Sequence, residues 1–375
     1  MKDLQEIVSG YDALKRAEAK AVLATIVNVK GSTYRRPGAR MLIREDGSTI
    51  GAISSGCLEA DVAERAKKIM NAHDAITVVY DLTAPENEVW GLNLGCNGVI
   101  QILLEPLPLS VGSLHVKSVA ECMHAQRFGV LASVFRVEGE LKATIGSHLF
   151  LLDDGKVTED IKNPTLTAAL TEDCLQALRS KTSCVKQYRF GEGWAEALIE
   201  VIRPPVPLVI IGAGGDSVPL ARFAAELGWI VTVVDHRPAF LTKERFPHAS
   251  ALILARPEEL SDKLTIKGNT VVVVMTHDFS HDLQLLRSLL PSSAPYVGIL
   301  GPSKRTNELL DKIRESGFEP TAKQLERLHG PIGLNIGAES SEEIALSILS
   351  EIQAFLNGRG AGFLRDHSGP IHAGG

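Results

Sequence analysis

The chain has 375 residues with 39 basic and 45 acidic side chains, a formal net charge of −6 and no long block of either sign. That balance excludes the basic face on which nucleic-acid binding depends, and 45% hydrophobic content is enough for two or three cores of ordinary domain size. Five cysteines, an odd number, predict reduced thiols and no disulfide framework, and no Cys-x-x-Cys or closely spaced Cys/His set predicts a metal centre.

MKDLQEIVSGYDALKRAEAK is a charged amphipathic helix pattern and neither an export signal nor a membrane anchor, so a cytoplasmic protein without a membrane span is expected. AVLATIVNV (21–29) reads as a buried β-branched strand, and MLIRE and STIGAIS flank Asp46-Gly47 as a hairpin. Between them GSTYRRPGAR carries Arg35, Arg36 and Arg40, a loop suited to an anion. Leu58, Val62, Ile69 and Met70 fall near one helical face, which makes Ser54 to Cys57 the entry turn of that helix. Cys57 follows Gly56 there, in the field of a helix N-terminus, with Glu59 either a proton donor beside it or a first-turn acid. TVVYD and VIQILLE bracket GLNLGCNG, where Cys96 follows Gly95, and close a first domain at 106. A glycine before each sulfur permits turn geometry and close ligand approach; the alternative is that both thiols only pack turns.

A middle segment, 107–206, has mixed helix and strand signals, including FRVEGELKATIG as a hairpin turning at Glu138-Gly139. Cys122, Cys174 and Cys184 read there as small buried hydrophobes, and no internal repeat is evident. Arg203-Pro204-Pro205-Val206-Pro207 is a stiff joint.

From 207 to 357 short apolar runs alternate with helical segments, the pattern of parallel strands buried on both faces. The expected fold is therefore α/β: an N-terminal α+β domain followed by a Rossmann-like doubly wound parallel sheet. Gly212, Gly214 and Ser217 hold the dinucleotide spacing between a strand and a helix, and Asp235 ends the next strand with Arg237 close behind. NAD(P), another nucleotide, or no ligand are the open readings. His277 with Asp278, and Gly298 with Gly301, stand at later strand ends, where such sheets bind ligands; His277 and Asp278 would shuttle a proton or merely finish the strand. A last helix opens at Ser340 with Glu343 in capping-box spacing, and 358–375 is a glycine-rich tail.

In this order GSTYRRPGARM, SSGCLE, GLNLGCNG, VIIGAGGDSVPLARFAAELGW, VDHRP, VMTHD, YVGILGPSKR and GPIGLNIGAESSEEIALSI resemble the XdhC/CoxI family, accessory factors of molybdenum hydroxylases such as xanthine dehydrogenase. The resemblance implies a chaperone, catalytic weakly if at all, that binds molybdenum cofactor (molybdopterin), supports its sulfuration and passes it to the apo-hydroxylase. Cys57 and Cys96 would then handle sulfur or hold the cofactor, and Arg35, Arg36 and Arg40 would face its phosphate. A cysteine desulfurase and a second copy of the chain are the other implied partners. The alternative is an NAD(P)-dependent oxidoreductase or a subunit of xanthine dehydrogenase itself.

Overall fold

The computed structural model describes residues 2–31, 33–72, 74–83, 98–107 and 113–366. Its chain divides into two compact units between Pro204 and Pro205, inside the proline-rich stretch.

The first unit contains the same arrangement twice. Helix α1 (Lys2–Ala17), strands β1 (Ala21–Gly31), β2 (Arg40–Arg44) and β3 (Thr49–Gly51), helix α2 (Glu59–Ile69) and strands β4 (Ile76–Asp81) and β5 (Gly98–Pro106) are followed by α3 (Leu114–His124), β6 (Gly129–Glu138), β7 (His148–Leu152), β8 (Val157–Glu159), α4 (Pro164–Ser180), β9 (Cys184–Phe190) and β10 (Gly193–Ile202). The two antiparallel sheets run β3-β2-β1-β5-β4 and β8-β7-β6-β10-β9. Strands begin 108 residues apart, at 21 and 129, 40 and 148, 49 and 157, 76 and 184. Even the β-bulge recurs: Val27 is the extra residue opposite β5 and Phe135 the extra residue opposite β10.

Alternation along each strand decides what it buries. In β1, Val22, Ala24 and Ile26 pack with Val62 and Ala66 of α2, while Leu23 faces the opposite way toward Ile7, Tyr11 and Leu14 of α1. In β6, Val130, Ala132 and Val134 pack with Leu166, Leu170 and Cys174 of α4, and Leu131 joins the α1 cluster together with Val116 and Val119 of α3. The outer helices α2 and α4 thus cover the two sheets, and α1 and α3 share the layer between them. Where that layer ends, the halves meet directly through Val27, Leu103, Phe135 and Leu198.

The sheet corrects the expected hairpin at Glu138-Gly139. β6 ends there against Trp194 of β10, and its partner β7 starts only at His148. The intervening loop is pinned by hydrogen bonds from Gly146 N to Val134 O (2.8 Å) and from Val134 N to Ser147 O (3.0 Å). These repeat the pair at Gly38, Ile26 and Ala39 in the first half. Burial pushes the thiols of Cys122 and Cys174 up to about 12 and raises that of half-buried Cys184, as expected of packing residues.

The second unit is the Rossmann sheet that the apolar runs predict. Its parallel strands β11 (Pro207–Ile211), β12 (Ile230–Asp235), β13 (Ala251–Leu254), β14 (Val271–Val274), β15 (Tyr296–Ile299) and β16 (Leu328–His329) are ordered β13-β12-β11-β14-β15-β16. Helices α5 (Ser217–Glu226), α6 (Leu260–Lys263), α7 (Phe279–Leu289), α8 (Ser303–Glu315), α9 (Ala322–Leu325) and α10 (Ser341–Leu356) complete it. α5 and α10 cover one face of the sheet, and α6, α7 and α8 the other. The capping box at Ser340 and Glu343 forms as its spacing predicts.

Because Phe135 is wholly buried at the seam between the halves, Phe135→Ala should cost about 3 to 5 kcal/mol in urea unfolding of the full chain. A loss below about 1 kcal/mol would mean that the seam carries little of the first unit's stability.

Candidate functional site

Cys57 sits in a turn that is folded onto one carboxylate. Glu59 accepts hydrogen bonds from Ser54 N (2.7 Å), Gly56 N (3.1 Å) and Ser54 Oγ. The Ser54 hydroxyl in turn accepts from Gly56 N (3.2 Å), Leu58 N (3.2 Å) and the Cys57 thiol (3.3 Å). Burial pushes the Glu59 carboxyl up, but the Ser54 hydroxyl and amide outweigh it and hold the group below the usual range. An ionised carboxylate with three donors is an acceptor and a latch for the turn. Gly56 has φ +111° and open space where a Cβ would stand, and both Ser55 and Gly56 are exposed. The half-buried sulfur of Cys57 is therefore reached over a turn without a side-chain wall at Gly56. Cys96 and Gly95 lie outside the described residues.

The arginine loop forms a separate pocket of about 420 Å³ whose walls include Tyr34, Arg35, Arg36, Arg40, Glu200 and Arg203. The three arginines of the loop differ. Arg36 is exposed, Arg35 is half-buried and paired with Asp3 at 3.0 Å, and Arg40 is buried. The Arg40 guanidinium donates through Nη1 to Gly38 O (2.8 Å) and Glu200 Oε1 (2.9 Å) and through Nη2 to Glu200 Oε2. Gly38 has φ +95°, and a Cβ there would lie 2.6 Å from Glu200 Oε1. Arg40 and Glu200 therefore fix the loop from below, while Arg35 and Arg36 line its mouth.

In the Rossmann unit the glycine turn is built as its spacing predicts, with Gly212 at φ +115° and the carbonyl of Met275 2.5 Å from where a Cβ would be. Ser217 replaces the third glycine without opening the packing: it is wholly buried and its hydroxyl donates to Gly214 O at 2.7 Å. Asp235 is already saturated. It accepts from Ala213 N (2.6 Å), Arg237 N (2.8 Å), Arg237 Nε (3.0 Å) and Arg237 Nη2 (2.9 Å). Burial alone would raise its pKa, yet Arg237 and the two amides hold it down at about 2. The cavity beside it measures about 20 Å³, room for a water. The His236 and His281 rings meet edge-on there at 4.8 Å.

His277 and Asp278 are adjacent in sequence but have different partners. Asp278 caps α7 by accepting from His281 N at 3.0 Å, and that amide holds its carboxyl below the usual range. His277, at φ +61°, points Nε2 toward Asp216 Oδ2 at 3.6 Å, and Asp216 also accepts from Ser341 Oγ at 2.5 Å. A non-glycine residue in the left-handed region at a strand end is held there by its surroundings. Gly301 has φ +130° and faces Arg305. Gly298 is a packing position inside β15, where a Cβ would lie 2.1 Å from Ile332 Cδ1.

Sequence reasoning missed Glu200, Glu105, His115 and His148, all of which the first unit draws to its centre. The signal was present in AVLATIVNVKG against GVLASVFRVEG, and in Asp46-Gly47 against Asp154-Gly155.

A duplicated antiparallel α/β unit with a Gly-Cys turn, followed by a Rossmann unit, defines the class of protein. The chain belongs to the XdhC/CoxI family: residues 14–81 and 122–189 match the XdhC and CoxI family, and residues 208–352 match the XdhC Rossmann domain. The two former stretches are spaced as the structural repeat is. The chain is similar to a Bacillus subtilis (strain 168) protein named as a probable xanthine dehydrogenase subunit, with 34% identity over 341 residues, 91% of this chain and 94% of the relative. It is also similar to the molybdenum cofactor insertion chaperone PaoD of Escherichia coli (strain K12), with 26% identity over 334 residues, 88% of this chain and 82% of the relative. A crystal structure described as a xanthine dehydrogenase from Bacillus halodurans has 30% identity and a TM-score of 0.74, covering 95% of this chain and 98% of that one.

The Asp235 carboxylate has a folded pKa below its ordinary value, so its stabilisation is present above about pH 4 and is lost as pH falls toward 2. Asp235→Asn should lower the stability of the second unit at neutral pH by about 2 kcal/mol and flatten its acid limb. Trp229, buried in that unit, supplies the fluorescence signal for urea unfolding across pH once Trp90 and Trp194 are replaced by Phe. An unchanged acid limb would show that the Arg237 pair does not set it.

Proposed function

We propose that this protein is an accessory and maturation factor for a molybdenum hydroxylase of the xanthine dehydrogenase type. It binds molybdenum cofactor, supports its sulfuration and delivers it to the apo-enzyme. The family and the likeness to an insertion chaperone support this reading, and the observation that carries it is the Cys57 turn. A thiol held ahead of a helix, behind a glycine without steric cover, suits a soft metal or a sulfur in transit. Cys57 and Cys96 are the two thiols assigned to that task.

In this reading Arg35 and Arg36 take the phosphate end of the pterin cofactor, since a guanidinium matches a phosphate in charge and geometry. Arg40 belongs to the same site as the residue that holds the loop, through Glu200. The hydroxylase client, a cysteine desulfurase as sulfur source and a homodimer are the partners assigned with it, and the cytoplasm is the compartment. Among the described residues no helix is long and apolar enough to cross a membrane.

The second reading, a working subunit of xanthine dehydrogenase, is favoured by the names of the Bacillus subtilis and Bacillus halodurans relatives. An NAD(P)-dependent oxidoreductase draws less support, because the acid that would accept from an adenosine ribose already has four donors.

Anaerobic titration of the full chain with molybdenum cofactor tests the proposal. Cys57→Ala and Cys96→Ala should abolish binding with circular dichroism unchanged, and Arg36→Ala should weaken it about tenfold, the worth of one charge-assisted hydrogen bond. Undiminished binding by both cysteine variants would remove the thiols from the site. Tight NAD(P) binding with redox turnover, and no uptake of the pterin cofactor, would replace the proposal with the oxidoreductase.

A further inference from the structure

The two halves of the first unit exchange buried partners. The strand-pairing registers make Arg40 the counterpart of His148, and Glu105 the counterpart of Glu200. Arg40 of the first half reaches Glu200 of the second, and His148 of the second reaches Glu105 of the first, at 2.6 Å. This is the reciprocity that a two-fold relation imposes. All four residues except Glu200 are at most 6% exposed, and the Glu200 side chain is at 14%.

On the helices beside this centre the symmetry is broken. His115 on α3 stands where α1 has Ile7, with the same spacing from its strand. Ile7 lines the wall beside Arg40 and Glu200. His115 brings a second imidazole against the first, with ring centroids 4.0 Å apart. A His–Glu pair that merely copied Arg40–Glu200 would be complete without it, and burying an extra imidazole costs desolvation.

The arrangement around both rings is that of ligands held by outer hydrogen bonds. Ser133 Oγ lies 3.0 Å from His148 Nδ1, and Ser113 Oγ lies 3.0 Å from His115 Nδ1. One donor atom from each of Glu105, His115 and His148 falls within 4.8 Å of the others. The charges agree. The centre has two carboxylates, Glu105 and Glu200, and one permanent cation, Arg40, which Glu200 already pairs. One negative charge is left for a bound cation to answer.

We propose that Glu105, His115 and His148 form a buried site for a divalent metal ion of the zinc class, which clamps the two halves of the first unit together. Two imidazoles and a carboxylate suit such an ion, with water as the remaining ligand, and hydrogen bonds at the outer Nδ1 atoms fix ligating rings. The site shares no residue with the Cys57 turn and is independent of the cofactor reading.

The test is titration of EDTA-stripped full-length protein with Co²⁺ and then Zn²⁺, in a Cys57→Ser/Cys96→Ser background that removes thiol ligation. Visible Co²⁺ bands without a thiolate charge-transfer band, bleached by Zn²⁺, are the expected signature, together with a raised thermal midpoint. Glu105→Gln and His115→Ile should abolish both. His115→Ile installs the side chain that the first half already accommodates, so circular dichroism should show it folded. Absence of Co²⁺ bands in the folded parent would overturn the metal site, and so would equal binding by folded His115→Ile.

Discussion

A buried charge must be paired where it is buried, and in this protein the pairing crosses between two copies of one fold. Arg40 and Glu200, and His148 and Glu105, join strands that no sheet hydrogen bond connects. Such pairs add little net stability, because desolvation offsets their attraction. Removing one partner is expensive, on the order of 3 to 5 kcal/mol. They therefore act as specificity devices that fix how the halves face each other. Gly38 shows the consequence: its carbonyl and its missing Cβ are both fitted to the Arg40–Glu200 pair, so the arginine loop takes its shape from a glutamate 160 residues downstream.

Duplication also divides the labour. In the first half the connection from β3 to α2 is the Cys57 turn, latched by Glu59. In the second half the connection from β8 to α4 is a plain helix start, where Asn163 accepts from Leu166 N at 3.0 Å and Pro164 opens the helix. The second copy has no thiol there and contributes Glu200 and Arg203 to the arginine pocket instead. The Rossmann unit keeps the glycine turn of a dinucleotide fold, yet the acid that would meet a ribose is spent on Arg237 and Ala213. A fold of this kind does not by itself imply the ligand of its better-known members.

Much of the fold was legible because it depends on local pattern. The β-branched run at 21–29, the apolar runs from Pro207 onward and the spacing of Ser340 and Glu343 each report on contacts within a few residues. The Cys57 turn belongs to the same class, since Gly56 and the helix that follows are neighbours in sequence. Gly298 was misleading for a related reason: a glycine at a strand end reads as ligand approach, but here it makes room for Ile332, 34 positions away. The repeat was also written in the chain, in paired strands and Asp-Gly turns, but divergence at most other positions hid it.

By itself the sequence determined most of the elements, the break at the prolines and the presence of thiol and arginine loops, because propensity, periodicity and turn chemistry act over short stretches; it divided 1–204 at 106, where the structure keeps one compact unit. Only the tertiary structure decided that Arg40 is committed to Glu200, that Asp235 is saturated, and that Glu105, His115 and His148 converge. Those outcomes depend on which distant side chains share a low-dielectric interior, where each polar group must find a partner. No short stretch of the sequence specifies that partner.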